Sequence, residues 1–129
     1  MNISMPTTDR LRELFNQQIH KFSNDMRLIL SDDTDAIGYL DALDGIMSVS
    51  PSIVSAFYRE HIGDPYHDMI MKKDEKFLTG DVMDRFGSGP FGALCNEIYQ
   101  KWTDLSERER DIIWDYFKVL TKISQKIHT

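Results

Sequence analysis

The sequence predicts an all-α protein, a single compact domain of five or six helices in which the first and last helices are the longest. Three observations carry this expectation. Apolar residues recur in steps of three and four through nearly every apolar run, the spacing that keeps them on one side of a helix. No stretch alternates with period two for long enough to make a strand. Ser50-Pro51 and Asp64-Pro65 each pair a small polar residue with a proline, which suits a first helical turn because the missing N–H would have no partner there.

The elements follow in order. From Asp9 to Leu30 the apolar positions are Leu11, Phe15, Ile19, Phe22, Met26, Ile29 and Leu30, with Thr8 as the expected N-cap and residues 1–8 as a flexible arm ahead of a helical domain over 9–129. A polar break, Ser31 to Thr34, leads to a shorter helix carrying Ile37, Leu40, Leu43, Ile46 and Met47, with Asp35 early in the turn where the helix dipole favours a negative charge. A third helix is expected from Pro51 to about Ile62 with Ile53, Val54, Phe57 and Ile62 inward. The fourth carries Tyr66, Met69 and Ile70 and fades near Lys76. Phe77, Leu78, Val82, Met83 and Phe86 are expected in short turns against the core. After a glycine-rich joint, Pro90 opens a helix through Leu94, Ile98 and Trp102. Ser106 and Glu109 have capping-box spacing, and the last helix runs on to about Ile127.

At 129 residues the chain suffices for one core that needs no staple. Cys95 is the single cysteine, so no intramolecular bridge is possible and a reducing, intracellular, cytoplasmic setting is the expectation. No apolar run approaches the length of a membrane span, and the first residues lack the basic end and apolar block of a secretory signal. Twenty-one acidic against fifteen basic residues leave a net charge of −6, which disfavours non-specific attraction to nucleic acid or anionic lipid. The acid is localised: from Ser31 to Phe57 there are five aspartates and no basic residue.

Several patterns invite a chemical reading. Gly87-x-Gly89-x-x-Gly92 spells a dinucleotide fingerprint, but no buried strand precedes it and Pro90 removes a needed N–H, so a helix-to-helix turn is the plainer reading. Asp33, Asp35, Gly38, Asp41 and Asp44 match loop positions of a calcium-binding EF-hand, yet Ile37 stands where a ligand belongs and Leu40 and Leu43 extend a helical pattern through the supposed loop. Glu60, His61, Asp64, His67 and Asp68 cluster about a proline at a spacing that fits no common metal template. Cys95 has no fixed base and reads as a small buried residue. Lys118, Lys122 and Lys126 form a stripe suited to an anion contact, although cations near a helix C-terminus also serve the dipole and Asp111 and Asp115 share that face. No cofactor or metal site is expected.

The stretch from Trp102 to Leu120, WTDLSERERDIIWDYFKVL, resembles a tail of small helical proteins of large DNA viruses of algae and protists, with its tryptophan, Leu-Ser-acidic cap and Ile-Trp-x-Tyr helix. The resemblance covers 19 of the 129 residues and implies a viral origin without implying an activity.

On the last helix, Val119, Ile112, Ile123, Tyr116, Ile127, Leu120, Ile113 and Phe117 fill an expected core arc of roughly 160°. Trp114 then falls outside it, among Arg110, Thr121 and Gln125, on a face expected to meet water, and these four residues are the candidate partner-binding set. The functional expectation is a non-catalytic protein-binding or assembly protein, self-associating or taking a protein partner, of the kind a viral accessory or minor structural component would be. The alternative is a nucleic-acid-associated regulator working through Lys118, Lys122 and Lys126, and a third is a small enzyme whose site forms only in the fold.

Overall fold

A computed structural model describes residues 7–78 and 89–127. Among them are six α-helices and no strand. The first, α1 (Thr8–Ile29), is amphipathic with a period near 3.6, so Phe15, Ile19, Phe22 and Met26 fall on one buried stripe. Its cap is Thr7, one residue earlier than expected, whose hydroxyl accepts from the Arg10 N–H at 3.1 Å. The second, α2 (Thr34–Val49), starts at Asp33, whose carboxylate accepts from the Ala36 N–H, and it buries Ala36, Leu40, Leu43 and Met47. Pro51 and Ser52 form a turn, and α3 (Ile53–Tyr58) begins just after it.

Pro65 has no N–H to continue the ladder. Before it the helix widens into a π turn over Arg59–Gly63, in which the Asp64 N–H donates to the Arg59 carbonyl at 3.0 Å. The inward residues of α3 and this turn are Val54, Ser55, Tyr58 and Ile62; Ile53 and Phe57, expected inward, lie exposed and half-buried. A short α4 (His67–Met71) ends in left-handed Lys73, and a 3-10 turn over Glu75–Leu78 carries Phe77 into the core as expected. The Leu78 side chain and Val82, Met83 and Phe86 lie outside the described residues, as do residues 1–6 of the expected arm. Pro90 opens α5 (Pro90–Lys101), which buries Phe91, Leu94, Cys95 and Ile98. The expected capping box forms at α6 (Glu107–Ile127): the Ser106 N–H donates to the Glu109 carboxylate at 2.8 Å, and the Glu109 N–H donates to the Ser106 hydroxyl at 3.1 Å.

The two longest helices, α1 and α6, pack along each other, and α2 packs on α5. Their shared core is strongly aromatic. The Tyr58 ring stands edge-on to Phe15 and Phe91, with centroids 5.6 and 5.8 Å away, and Phe77 meets Phe117 edge-on at 5.3 Å. Buried Tyr58 is satisfied at its hydroxyl, which donates to the Phe117 carbonyl at 3.0 Å and pairs with the Thr121 hydroxyl at 2.9 Å.

The core face of α6 differs from the expected one. Ile113, Trp114, Phe117, Leu120, Thr121, Ser124 and Ile127 are buried, whereas Val119 is exposed and Ile112, Tyr116 and Ile123 are half-buried. The buried arc is rotated by roughly 70° from the aliphatic one, on a helix turning about 100° per residue. The π turn packs against this face. Gly63 sits so close to α6 that a Cβ there would stand 3.1 Å from the Ser124 hydroxyl, and the small residues Thr121 and Ser124 admit this approach. Trp114, placed on the water face by the sequence, is only 4% exposed, sealed by Phe77 at 6.1 Å and Trp102 at 5.8 Å. Thr121 is likewise fully buried.

Candidate functional site

Helix α2 presents two apolar faces. The inner one packs in the core, whereas the outer one runs along Gly38, Ala42, Gly45 and Val49, all exposed, with Ile46 half-buried at its edge. Val49 is 84% exposed and Ile53, across the Pro51 turn, 54%. Between α2, α3 and the start of α5 lies a groove of about 190 Å³ lined, among the described residues, by Leu43, Ile46, Ile53, Val54, Phe57, Gly89, Pro90 and Phe91. A shallower depression over Ala42, Gly45, Ile46, Val49, Ser50 and Ile53 extends it along α2. The groove is smaller than the ~300–1,000 Å³ typical of a drug-sized ligand site, and its size suits one or two apolar side chains. Scattered exposed aliphatics are ordinary, but these are contiguous.

Gly38 and Gly45 add to this. A Cβ built on either meets nothing within 4 Å among the described residues, so none of their packing requires a glycine there. Within a helix each glycine costs up to ~1 kcal/mol relative to alanine. The outer face of α2 is thereby kept flat at the expense of helix stability.

Charge is distributed unevenly around the same helix. Arg27 on α1 holds Asp41 at 2.7 Å and Asp44 at 2.9 Å, and these two carboxylates raise its pKa further. Asp32 and Asp35 are exposed at the other end of α2 and form no ion pair among the described residues. Asp33 meets Glu97 of α5. Its Oδ2 is buried and receives no N–H, so a hydrogen bond from Glu97 would satisfy it wherever the Glu97 carboxyl carries a proton. That hydrogen bond, burial, and the charges of Asp33 and Asp35 push Glu97 up to about 7, while the same bond holds Asp33 below its ordinary value.

The remaining candidates are dispersed by the fold. Asp33, Asp35, Gly38, Asp41 and Asp44 belong to one cap and a continuous helix, so no EF-hand loop exists there. Gly87 lies outside the described residues; Gly89 caps α5 and Gly92 is buried within it. His61 stacks on Phe57 at 4.6 Å, whereas the His67 Nδ1 bonds to Gln125 at 3.1 Å, so the two imidazoles serve different contacts. Among the described residues no group of three or more His, Cys, Asp or Glu side chains can hold a metal ion, and no helix is long and apolar enough to cross a membrane. Cys95 is fully buried, and burial pushes its thiol up, the opposite of an activated nucleophile.

Trp114, Arg110, Thr121 and Gln125 make no open face. The Arg110 guanidinium lies 5.6 Å over the Trp102 ring and its Nε donates to the Trp102 carbonyl at 2.9 Å. Gln125 bridges His67 and Asp64. These polar residues fasten α6 to its neighbours. Lys122 and Lys126 are exposed and Lys118 half-buried on one side of α6, interleaved with exposed Asp111 and Asp115. The α2 groove is not legible in the apolar periodicity, which points Ile53 inward and gives Val49 no face; the two glycines within the α2 stretch are its visible signal. Comparison of the chain with known protein families, with curated proteins and with solved structures finds no match.

Proposed function

We propose that the protein is a non-catalytic protein-binding domain whose groove between α2, α3 and α5 receives apolar side chains of a protein partner. The observation that carries this reading is the contiguous apolar surface formed by the groove with exposed Val49 and Ile53. An aliphatic or aromatic anchor entering such a groove is the usual core of an interface, since a few buried side chains dominate binding energy. Among the described residues the lining is apolar and offers no side-chain acid or base to a substrate. The likeness of Trp102–Leu120 to small helical proteins of large DNA viruses supports a viral origin, and the binding role rests on the groove.

The test is site-directed photocrosslinking in cells of the source organism. Benzoylphenylalanine replaces Val49 or Ile53 in the groove, and Lys21 or Lys122 on other exposed surfaces. Adducts to a protein at 49 and 53, absent at 21 and 122, are the expected result. No adduct at the groove positions, or equal labelling at all four, defeats the reading.

A further inference from the structure

We infer that the partner's contacting segment is a basic amphipathic helix lying along α2, with apolar residues over the groove and lysine or arginine opposite Asp32 and Asp35. This rests on the protein-binding reading and adds the occupant. The outer face of α2 is a seam: Asp35, Gly38, Ala42, Gly45 and Val49 follow each other in steps of three and four, the repeat that keeps one helix facing another at a crossing of about 20°. At Gly38 and Gly45 nothing stands where a side chain would be, so the larger side chains of a second helix have room against the α2 backbone. A helix fits this strip better than a loop, because the strip is straight and runs the length of α2. Asp35 and the groove residue Ile46 are eleven residues apart, about 16 Å along the axis, which defines a partner of at least three turns.

Charge selects among helices. Arg27 neutralises Asp41 and Asp44 at the back of α2, whereas Asp32 and Asp35 at the front end are exposed and form no ion pair among the described residues, Lys101 of α5 lying across the depression that Asp32 borders. Ser31 to Phe57 contains no basic residue, so a second copy laid α2 against α2 would bring aspartates and apolar groups to the seam and no cation. The chain's net charge of −6 adds to that repulsion. A partner helix with a basic end meets the aspartates with attraction and fills the groove with its apolar end.

The probe is a fluorescein-labelled, stapled helical peptide of about 18 residues, with leucines at steps of three and four over its first turns and two arginines near its end. Its twin carries glutamates in place of the arginines. Fluorescence anisotropy should show the arginine peptide binding, at least about tenfold weaker for the glutamate twin, for Ala42→Arg, and for wild type when salt rises from about 0.05 to about 0.5 M. Asp35→Lys should reverse the preference between the twins. Both substitutions lie on exposed positions of α2, and circular dichroism checks that each variant stays folded. Equal binding of the twins, or no reversal by Asp35→Lys, overturns the basic helix. Self-association that Ala42→Arg abolishes overturns it in favour of a second copy. If neither peptide binds while positions 49 and 53 crosslink to protein, the docking groove stands and the basic-helix occupant falls; if those crosslinks are also absent, both fall.

Discussion

Asp33 faces two ways with one carboxylate: Oδ1 accepts the Ala36 N–H and so starts α2, and the carboxylate meets Glu97 of α5, whose proton would satisfy the buried Oδ2. The pair joins the two helices that form the floor of the groove, and its proton balance has a definite sign. Glu97 titrates higher in the folded chain, so its contribution is complete below its ordinary 4.5 and is lost as pH rises through about 7. Asp33 titrates lower than its ordinary 3.8, so its contribution is present above that value and is lost as pH falls through the lower folded one. The joint is therefore tightest on the acid side of neutrality. The urea midpoint of wild type should fall between about pH 5.5 and about pH 8, whereas Glu97→Gln, whose amide donates to Asp33 at any pH, should remove that part of the slope. Identical slopes for the two proteins would dispose of the shared proton.

At the scale of elements, most helix ends follow local rules visible in the chain. Ser106 with Glu109, and Pro90 at the first turn of α5, sit where expected because capping is a property of a few consecutive residues. The end of α4 is a Schellman motif: the Lys73 N–H donates to the Ile70 carbonyl, and the Asp74 N–H reaches back to Met69 at 2.8 Å. It places Lys73 at φ 54, a conformation that suits glycine and costs a side chain ~1–2 kcal/mol. Its exposed ion pair with Asp111, 3.2 Å long, returns little. Lys73→Gly should raise stability by about 0.5–1 kcal/mol, part of the relief being offset by the freer unfolded chain, and Tm by about 2–4 °C. A lower Tm would mean that the Lys73–Asp111 pair outweighs the backbone strain. The π turn before Pro65 had no such signature: a proline announces that the ladder breaks, but not whether the preceding helix stops or widens.

For the whole molecule, a core that includes Cys95 on α5 makes one thiol a reporter of global opening. Cys95 is fully buried between packed helices, so a thiol reagent should modify the native protein at least about a thousandfold more slowly than the urea-unfolded chain, at a rate that rises with urea along the unfolding curve. Fast modification independent of urea would show that α5 opens alone. The helical class, the order of the helices and most of the inward stripe of α1, α2 and α5 are legible in the chain alone, because a period of 3.6 and the chemistry of caps act within a few residues of each other. Which side of α6 is buried and which side of α2 is left bare depends instead on contacts between helices distant in the chain. Thr121 and Ser124 look like surface residues until Gly63 and Tyr58 arrive from about sixty residues away, and Trp114 looks exposed until Phe77 and Trp102 close over it. Hydrophobicity along one helix says that a side chain is apolar; which apolar side meets a neighbour depends on how closely two backbones approach, and small residues distant in sequence set that distance.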